Sequence, residues 1–125
     1  MGKKTFNLEE RVIDYAVSVI KLVDKLPKSY AGQHLGGQLL RSGTSPSLNY
    51  GEAKAAESKN DFIHKMKVCL KEFRETFICL KIIWRTKLIK DEVFINEVIT
   101  ETNELISIFV KSIDTATKSK TQQLL

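Results

Sequence analysis

Apolar residues recur at spacings of three and four through three long stretches of this chain, and nowhere do they alternate for more than a few positions. The first stretch carries Leu8, Val12, Tyr15, Ala16, Val19, Val23 and Leu26. Another carries Phe62, Met66, Cys69, Leu70, Phe73, Phe77, Leu80 and Trp84. The last carries Val98, Ile99, Thr102, Leu105, Ile106, Phe109 and Ile113. That period belongs to an α-helix with one apolar face. Each such face must be buried against another element, and helices of matched length do this as a bundle. The expected fold class is therefore all-α, an up-and-down four-helix bundle. Its helices are expected over about 8–26, 32–57, 61–86 and 91–114, with boundaries set by caps and breakers. Residues 1–6 read as an N-terminal tail, 7–115 as the bundle and 116–125 as a flexible C-terminal tail with little apolar periodicity.

Local signals agree with the first helix. Asn7 is a plausible N-cap, with Glu10 three residues on in a capping-box arrangement. Pro27 stops the helix. The second segment is different: "LLRSGTSPSLNYGEA" carries Gly43, Pro46 and Gly51 inside a helical spacing. Pro46 removes one backbone donor and clashes with the carbonyl of residue 42, so the second helix is expected to be kinked near Pro46. Gly43 would let another helix approach closely. Gly51 lowers helix stability by about 1 kcal/mol.

At 125 residues the chain has the size of one domain. No apolar run approaches the ~20 residues of a membrane span. Glu9, Glu10, Arg11 and Asp14 interrupt any signal-peptide core, so a cytoplasmic location is expected. Cys69 and Cys79 lie ten residues apart on one expected helix. That is ~15 Å of rise, beyond disulfide reach. Free thiols in a reducing compartment are the expectation.

Arg41, Ser45, Asn49 and Glu52 share one face of the second helix. A polar row on a helix that must pack needs partners. Glu72 and Glu75 on the next helix are the natural ones, giving a structural polar network that fixes register. A ligand site is the alternative. Glu52, Glu72 and Glu75 could also be read as metal ligands. Di-metal bundles, however, use Glu-x-x-His on two helices, and the chain has only His34 and His64. Asp61 and His64 form a single i, i+3 pair. No metal, no cofactor and no nucleophile–base pair is expected. "HLGGQ" lacks the Lys-Ser/Thr and the preceding strand of a phosphate loop.

The net charge is +5. Lys67, Lys71, Arg74, Lys81 and Arg85 form one stripe along the third helix. Between Lys54 and Lys90 ten Lys and Arg face four Asp and Glu. The fourth helix carries Asp91, Glu92, Glu97, Glu101 and Glu104. Two readings stay open. The stripe is a solvated face that pairs with the acidic helix within or between subunits. Or it is a sequence-neutral phosphate-binding surface for RNA or DNA. Most Phe residues fall on inner faces, so surface aromatics for base stacking are not expected.

Two motifs carry a resemblance. One is "LLRSGTSPSLNYGEA", with Arg41, Ser42, Ser45, Asn49 and Glu52. The other is "NDFIHKMKVCLKEFRETFICLKII", with Asp61, Phe62, Leu70, Lys71, Glu72, Glu75 and Thr76. Together they resemble the small bacterial four-helix bundle proteins of 23S rRNA intervening sequences, over roughly residues 7–115. Tyr50-Gly51, Phe73 and Phe77 depart from the family pattern and bear on packing or assembly contacts. The resemblance implies a left-handed up-and-down four-helix bundle and a homo-oligomer, pentameric in some members around a central channel. The accessory variability determinant of diversity-generating retroelements is a similar protein, a basic pentamer that works with a reverse transcriptase and RNA. The implied partners are thus further copies of the chain, RNA or DNA, and a protein such as a reverse transcriptase; no enzyme activity is implied. The expectation is a non-enzymatic, homo-oligomeric basic scaffold. A purely structural interaction module, or a small-ligand or metal-binding bundle using Glu52, Glu72 and Glu75, are the alternatives.

Overall fold

The computed structural model describes residues 7–124, with side chains through Ser119. Four helices follow one another: α1 (Leu8–Val23), α2 (Tyr30–Lys54), α3 (Lys59–Arg85) and α4 (Glu92–Leu124). Residues 1–6, read as a tail, lie outside the described residues. Each helix packs on its neighbours in chain order and α4 closes back on α1, so α1 and α3 stand on opposite corners, as do α2 and α4. All four neighbouring pairs are antiparallel. Glu9 meets Lys54 at one end of the α1–α2 pair, and Gly36 meets Leu26 and Val23 at the other. Cys79 reaches Leu35 while Cys69 reaches Pro46 between α3 and α2.

Caps set most of the boundaries. Asn7 Oδ1 accepts the Glu10 N–H at 3.1 Å, Ser29 Oγ accepts that of Gly32 at 3.1 Å, and Ser58 Oγ accepts that of Asp61 at 3.0 Å. Each satisfies one of the orphan donors of a first helical turn. α3 ends in paired closing bonds, Leu88 N–H to the Ile83 carbonyl and Lys87 N–H to that of Trp84. Lys87 takes the left-handed position of that motif, with φ 57°, which a glycine usually fills.

Two boundaries differ from the expectation. α1 stops at Val23; Asp24 still donates to the Ile20 carbonyl, and Lys25 and Leu26 close in i→i+3 turns ahead of Pro27. α4 does not stop at 114 but runs to Leu124, so residues 116–124 are helical. Weak apolar periodicity there does not mark a lack of helix. No Gly or Pro interrupts Glu92–Leu124. Lys59 on α3 donates to Ser119 Oγ at 2.9 Å, tying the extension down.

Four rings form the centre. Tyr50 of α2 meets Phe109 of α4, Phe109 meets Phe73 of α3, and Phe73 meets Tyr15 of α1, at centroid distances of 5.9, 5.0 and 5.4 Å. All three contacts are edge-on, the favoured ring geometry. Val12, Val19, Leu22, Leu39, Met66, Leu80, Ile83, Val98 and Leu105 fill the space around them. Trp84 was expected inside but is 43% exposed. Towards its C-terminus the buried line of α3 swings to Cys79 and Ile83, leaving Trp84 at the surface.

Two buried hydroxyl pairs lie in the interior. Tyr15 and Thr102 join α1 to α4 at 2.6 Å, and Thr102 Oγ1 donates to the Val98 carbonyl at 2.7 Å. Burial holds the Tyr15 phenol far above its ordinary pKa, so it stays protonated. Ser42 and Thr76 join α2 to α3 at 2.8 Å, and Thr76 also donates to the Glu72 carbonyl at 2.8 Å. Thr102 gives its proton to its own helix, so Tyr15 donates across; the Thr76 proton has two acceptors in reach, the Ser42 hydroxyl and the Glu72 carbonyl.

α1 and α4 are also joined by Arg11. Its Nε and Nη2 donate to the two carboxylate oxygens of Glu101 at 2.8 and 2.7 Å. The Glu101 side chain is only 8% exposed. Removing one partner of a buried pair of this kind costs about 3–5 kcal/mol.

α2 runs unbroken across Pro46, which is buried. Thr44 Oγ1 donates to the Leu40 carbonyl, Ser47 Oγ to that of Thr44, and Asn49 Nδ2 to that of Ser45. These side chains serve carbonyls in the turns flanking the proline. The helix packs through small residues. A methyl at Gly43 would lie 2.6 Å from Val19 Cγ1, whereas one at Gly51 would meet nothing within 4 Å.

The two glycines should therefore respond in opposite directions. Gly51→Ala should raise stability by about 0.5–1 kcal/mol through helix propensity alone. Gly43→Ala should lower it by about 1–3 kcal/mol by forcing α1 off α2. Chemical denaturation of the two variants checks this; equal shifts of one sign would contradict the close approach at Gly43.

Candidate functional site

α3 presents its outermost line to solvent. Lys67, Lys71 and Arg74 are exposed along it. Ile78 and Ile82 continue the same line at 57% and 45% exposure, and Arg85 ends it. The flank of α2 borders this line with His34, Leu35, Gln38 and Arg41. Together they enclose an open groove of about 980 Å³, floored by Leu70, Ile78, Cys79 and Ile82. The cationic stripe is thus also an amphipathic one. Periodicity reading missed the two isoleucines because their spacing from Arg74 and Lys71 puts them among the bases, not on the core face.

Lys67, Lys71 and Arg74 come together in the groove, but Lys81 and Arg85 do not line it. Lys81 turns its Nζ over the Phe77 ring, 5.3 Å from the centroid, a cation–π contact. Arg85 is exposed in the last turn of α3.

The expected polar row resolves into three separate contacts. Arg41 donates to Glu72 at 3.1 Å and to Glu75 at 2.9 Å. Its own side chain is 56% exposed while that of Glu72 is 12% exposed. Asn49 stays within α2, donating to the carbonyl and hydroxyl of Ser45 at 3.1 and 2.9 Å. Glu52 pairs with Lys65 at 3.4 Å rather than joining Glu72 and Glu75. The row lies on the flank of the α2–α3 seam, half in water. The buried polar link between these helices is Ser42–Thr76, one residue in from Arg41 and from Glu75.

The Arg41 guanidinium, hydrogen-bonded to it, holds the Glu75 carboxyl below the usual carboxylate range, against slight desolvation. The charge of Lys71 acts in the same sense. Arg41 is raised in return, chiefly by Glu75. Among the described residues no group of three or more His, Cys, Asp or Glu is placed to hold a metal ion. Cys79 borders the groove but is buried, and desolvation raises its thiol pKa. Cys69 is pushed up to about 12 by burial, which keeps it a thiol. A reactive thiol needs the opposite shift.

Acidic residues of α4 face elsewhere. Glu101 and Glu104 are both engaged by Arg11 of α1. Sequence reading counted Glu101 only among the acids of the fourth helix. Its position three after Val98 and four before Leu105 already placed it on the inner stripe.

These features define a class: a four-helix bundle with an amphipathic cationic groove on its surface. The profile of the 23S rRNA-intervening sequence proteins matches residues 4–111, and the chain belongs to that family. A solved structure from Bacteroides thetaiotaomicron, a protein of unknown function from the S23 ribosomal protein family, is similar at 30% identity. The match covers 86% of this chain and 98% of that one, with a TM-score of 0.76. No curated protein matches the chain. Among the described residues, no helix is long and apolar enough to cross a membrane.

Glu75 gives a direct check on the groove's rim. Its folded pKa lies below its unfolded value, so its pairing adds stability above the carboxylate range and that contribution is lost as pH falls through the depressed value. Arg41→Gln should move the Glu75 midpoint up towards the ordinary glutamate value of about 4.3, as followed by NMR of the side-chain carboxyl. An unmoved midpoint would contradict the Arg41–Glu75 pairing.

Proposed function

We propose that this protein is a non-catalytic scaffold that assembles with copies of itself and docks an acidic, amphipathic surface in its α2–α3 groove. One observation carries the reading: Ile78 and Ile82 lie exposed in line with Lys67, Lys71 and Arg74. A surface built for phosphates alone has no use for two exposed isoleucines on its central line. A helix with an apolar stripe flanked by carboxylates fits both halves of the groove. Arg41 is already neutralised by Glu72 and Glu75, so Lys67, Lys71 and Arg74 supply the groove's attracting charge.

A second reading has its own observation. Tyr30 is 98% exposed and Trp84 is 43% exposed, and both stand at the bundle end that holds the α1–α2 and α3–α4 turns. Lys28, Arg85, Lys87 and Lys90 are exposed at the same end. Aromatics interleaved with bases are what single-stranded nucleic acid uses for stacking and backbone contact. This surface is separate from the groove, so RNA or DNA contact at the turn end is compatible with docking at the groove.

The test is fluorescence anisotropy of a labelled helical peptide carrying leucines and glutamates at i, i+3, i+4 and i+7 spacing. The triple change Lys67→Glu, Lys71→Glu and Arg74→Glu should weaken its binding more than about tenfold, and added salt should do the same. Binding indifferent to both, or no binding to the unmodified chain, would overturn the docking reading. Labelled oligouridylate should respond instead to Tyr30→Ala with Trp84→Ala.

A further inference from the structure

The outer face of α1 has the complement of the groove. Ile13, Val17 and Ile20 are 42%, 44% and 44% exposed, spaced four and three on the side away from Val12, Tyr15, Val19 and Leu22. Glu10, Asp14 and Asp24 are exposed around them, with Lys21 the one base on that face. An apolar line with carboxylates beside it, on a preformed helix, is the kind of surface the groove is shaped to receive.

The registers match. Glu10 and Val17 are seven apart on α1, with its C-cap Asp24 seven further; Lys71 and Ile78 are seven apart in the groove, with Arg85, just beyond the groove at the turn end, seven further. Residues seven apart lie on nearly one line of a helix, and each set spans about 21 Å. Laid side by side, acid–apolar–acid meets base–apolar–base. Asp14 then has Arg74 within reach, and Ile20 has Ile82.

The faces cannot meet within one chain. α1 and α3 occupy opposite corners of the bundle, so these two faces point away from each other. We infer that the occupant of the α2–α3 groove is α1 of a second copy, giving a head-to-tail contact between two different faces. This rests on the docking reading above and names its partner. Such a contact leaves one free face at each end of any pair. It therefore builds assemblies larger than a dimer, and rings when the rotation between copies closes. Tyr30, Trp84 and Lys87 at the turn end stay outside the contact.

Two substitutions at exposed positions test this without touching the core: Val17→Glu spoils the α1 face and Ile78→Glu spoils the groove. Circular dichroism should show both folded as the unmodified chain. In sedimentation velocity the unmodified chain should run as an assembly of more than two copies. Each variant alone should associate at least about a hundredfold more weakly and run as a monomer, because a carboxylate replaces an apolar centre. Mixed, they should form a one-to-one pair and stop there, since Ile78→Glu retains a sound α1 face and Val17→Glu a sound groove. A monomeric unmodified chain overturns self-docking; the acidic-peptide titration then decides separately whether the groove docks anything. An assembly indifferent to both substitutions overturns the interface but not self-association. Variants that dissociate but fail to pair when mixed overturn the head-to-tail arrangement. If both variants keep full size while the Lys67, Lys71 and Arg74 reversal abolishes oligouridylate binding, the face serves nucleic acid and the inference is wrong.

Discussion

Four aromatic rings, one from each helix, meet in a single edge-to-face series at the centre of this bundle. Tyr50, Phe109, Phe73 and Tyr15 connect both diagonals as well as one flank. Rings of this size fill the axis of a four-helix bundle, so neighbouring positions must be small or precisely matched. The small ones are on α2. Gly32, Gly36, Ser42, Gly43 and Ala53 are buried there, and Val19 sits against Gly43. α2 thus packs by proximity rather than by bulky side chains. Its polar flank is drawn close to α3 as a result, which is why Arg41 can reach Glu72 and Glu75.

Polar links at two levels hold the register. Ser42–Thr76 and Tyr15–Thr102 are dry hydroxyl pairs whose mismatch would leave buried donors unsatisfied. Arg11–Glu101 is a bidentate pair at the α1–α4 seam, where these helices touch least. Outside this frame the outer line of α3 carries no structural duty. Its lysines, arginines and isoleucines are free to serve contact, and the same holds for the apolar line of α1.

The fold was largely legible because α1, α3 and α4 bury large residues at helical spacing, and burial at that spacing leaves a periodic trace. α2 was harder to read. Apart from Leu39 its buried positions are glycine, serine, alanine and proline, which a hydrophobic pattern does not register. Helical spacing set Arg41 opposite Glu72 and Glu75, and the structure pairs these three, yet the row lies on a surface seam. Ser45, Asn49 and Glu52 make other contacts because the helix turns them past α3. The end of α4 was missed because its last turns are helical without the apolar periodicity that marks a helix in sequence. The groove was only half legible. Its charges stand out as a stripe, while Ile78 and Ile82 look like ordinary apolar residues until α3 is seen to expose them.

On this account a face of α3 that looks merely charged is an amphipathic seat, and α1 of another copy carries the matching surface. The most direct measurement places a photo-crosslinking benzoylphenylalanine at position 78 of the full chain and maps its adducts by mass spectrometry. The account predicts intermolecular links to α1, centred on Val17 and reaching Ile13 and Ile20. Links confined to another helix of the second copy, or none between copies, would contradict it.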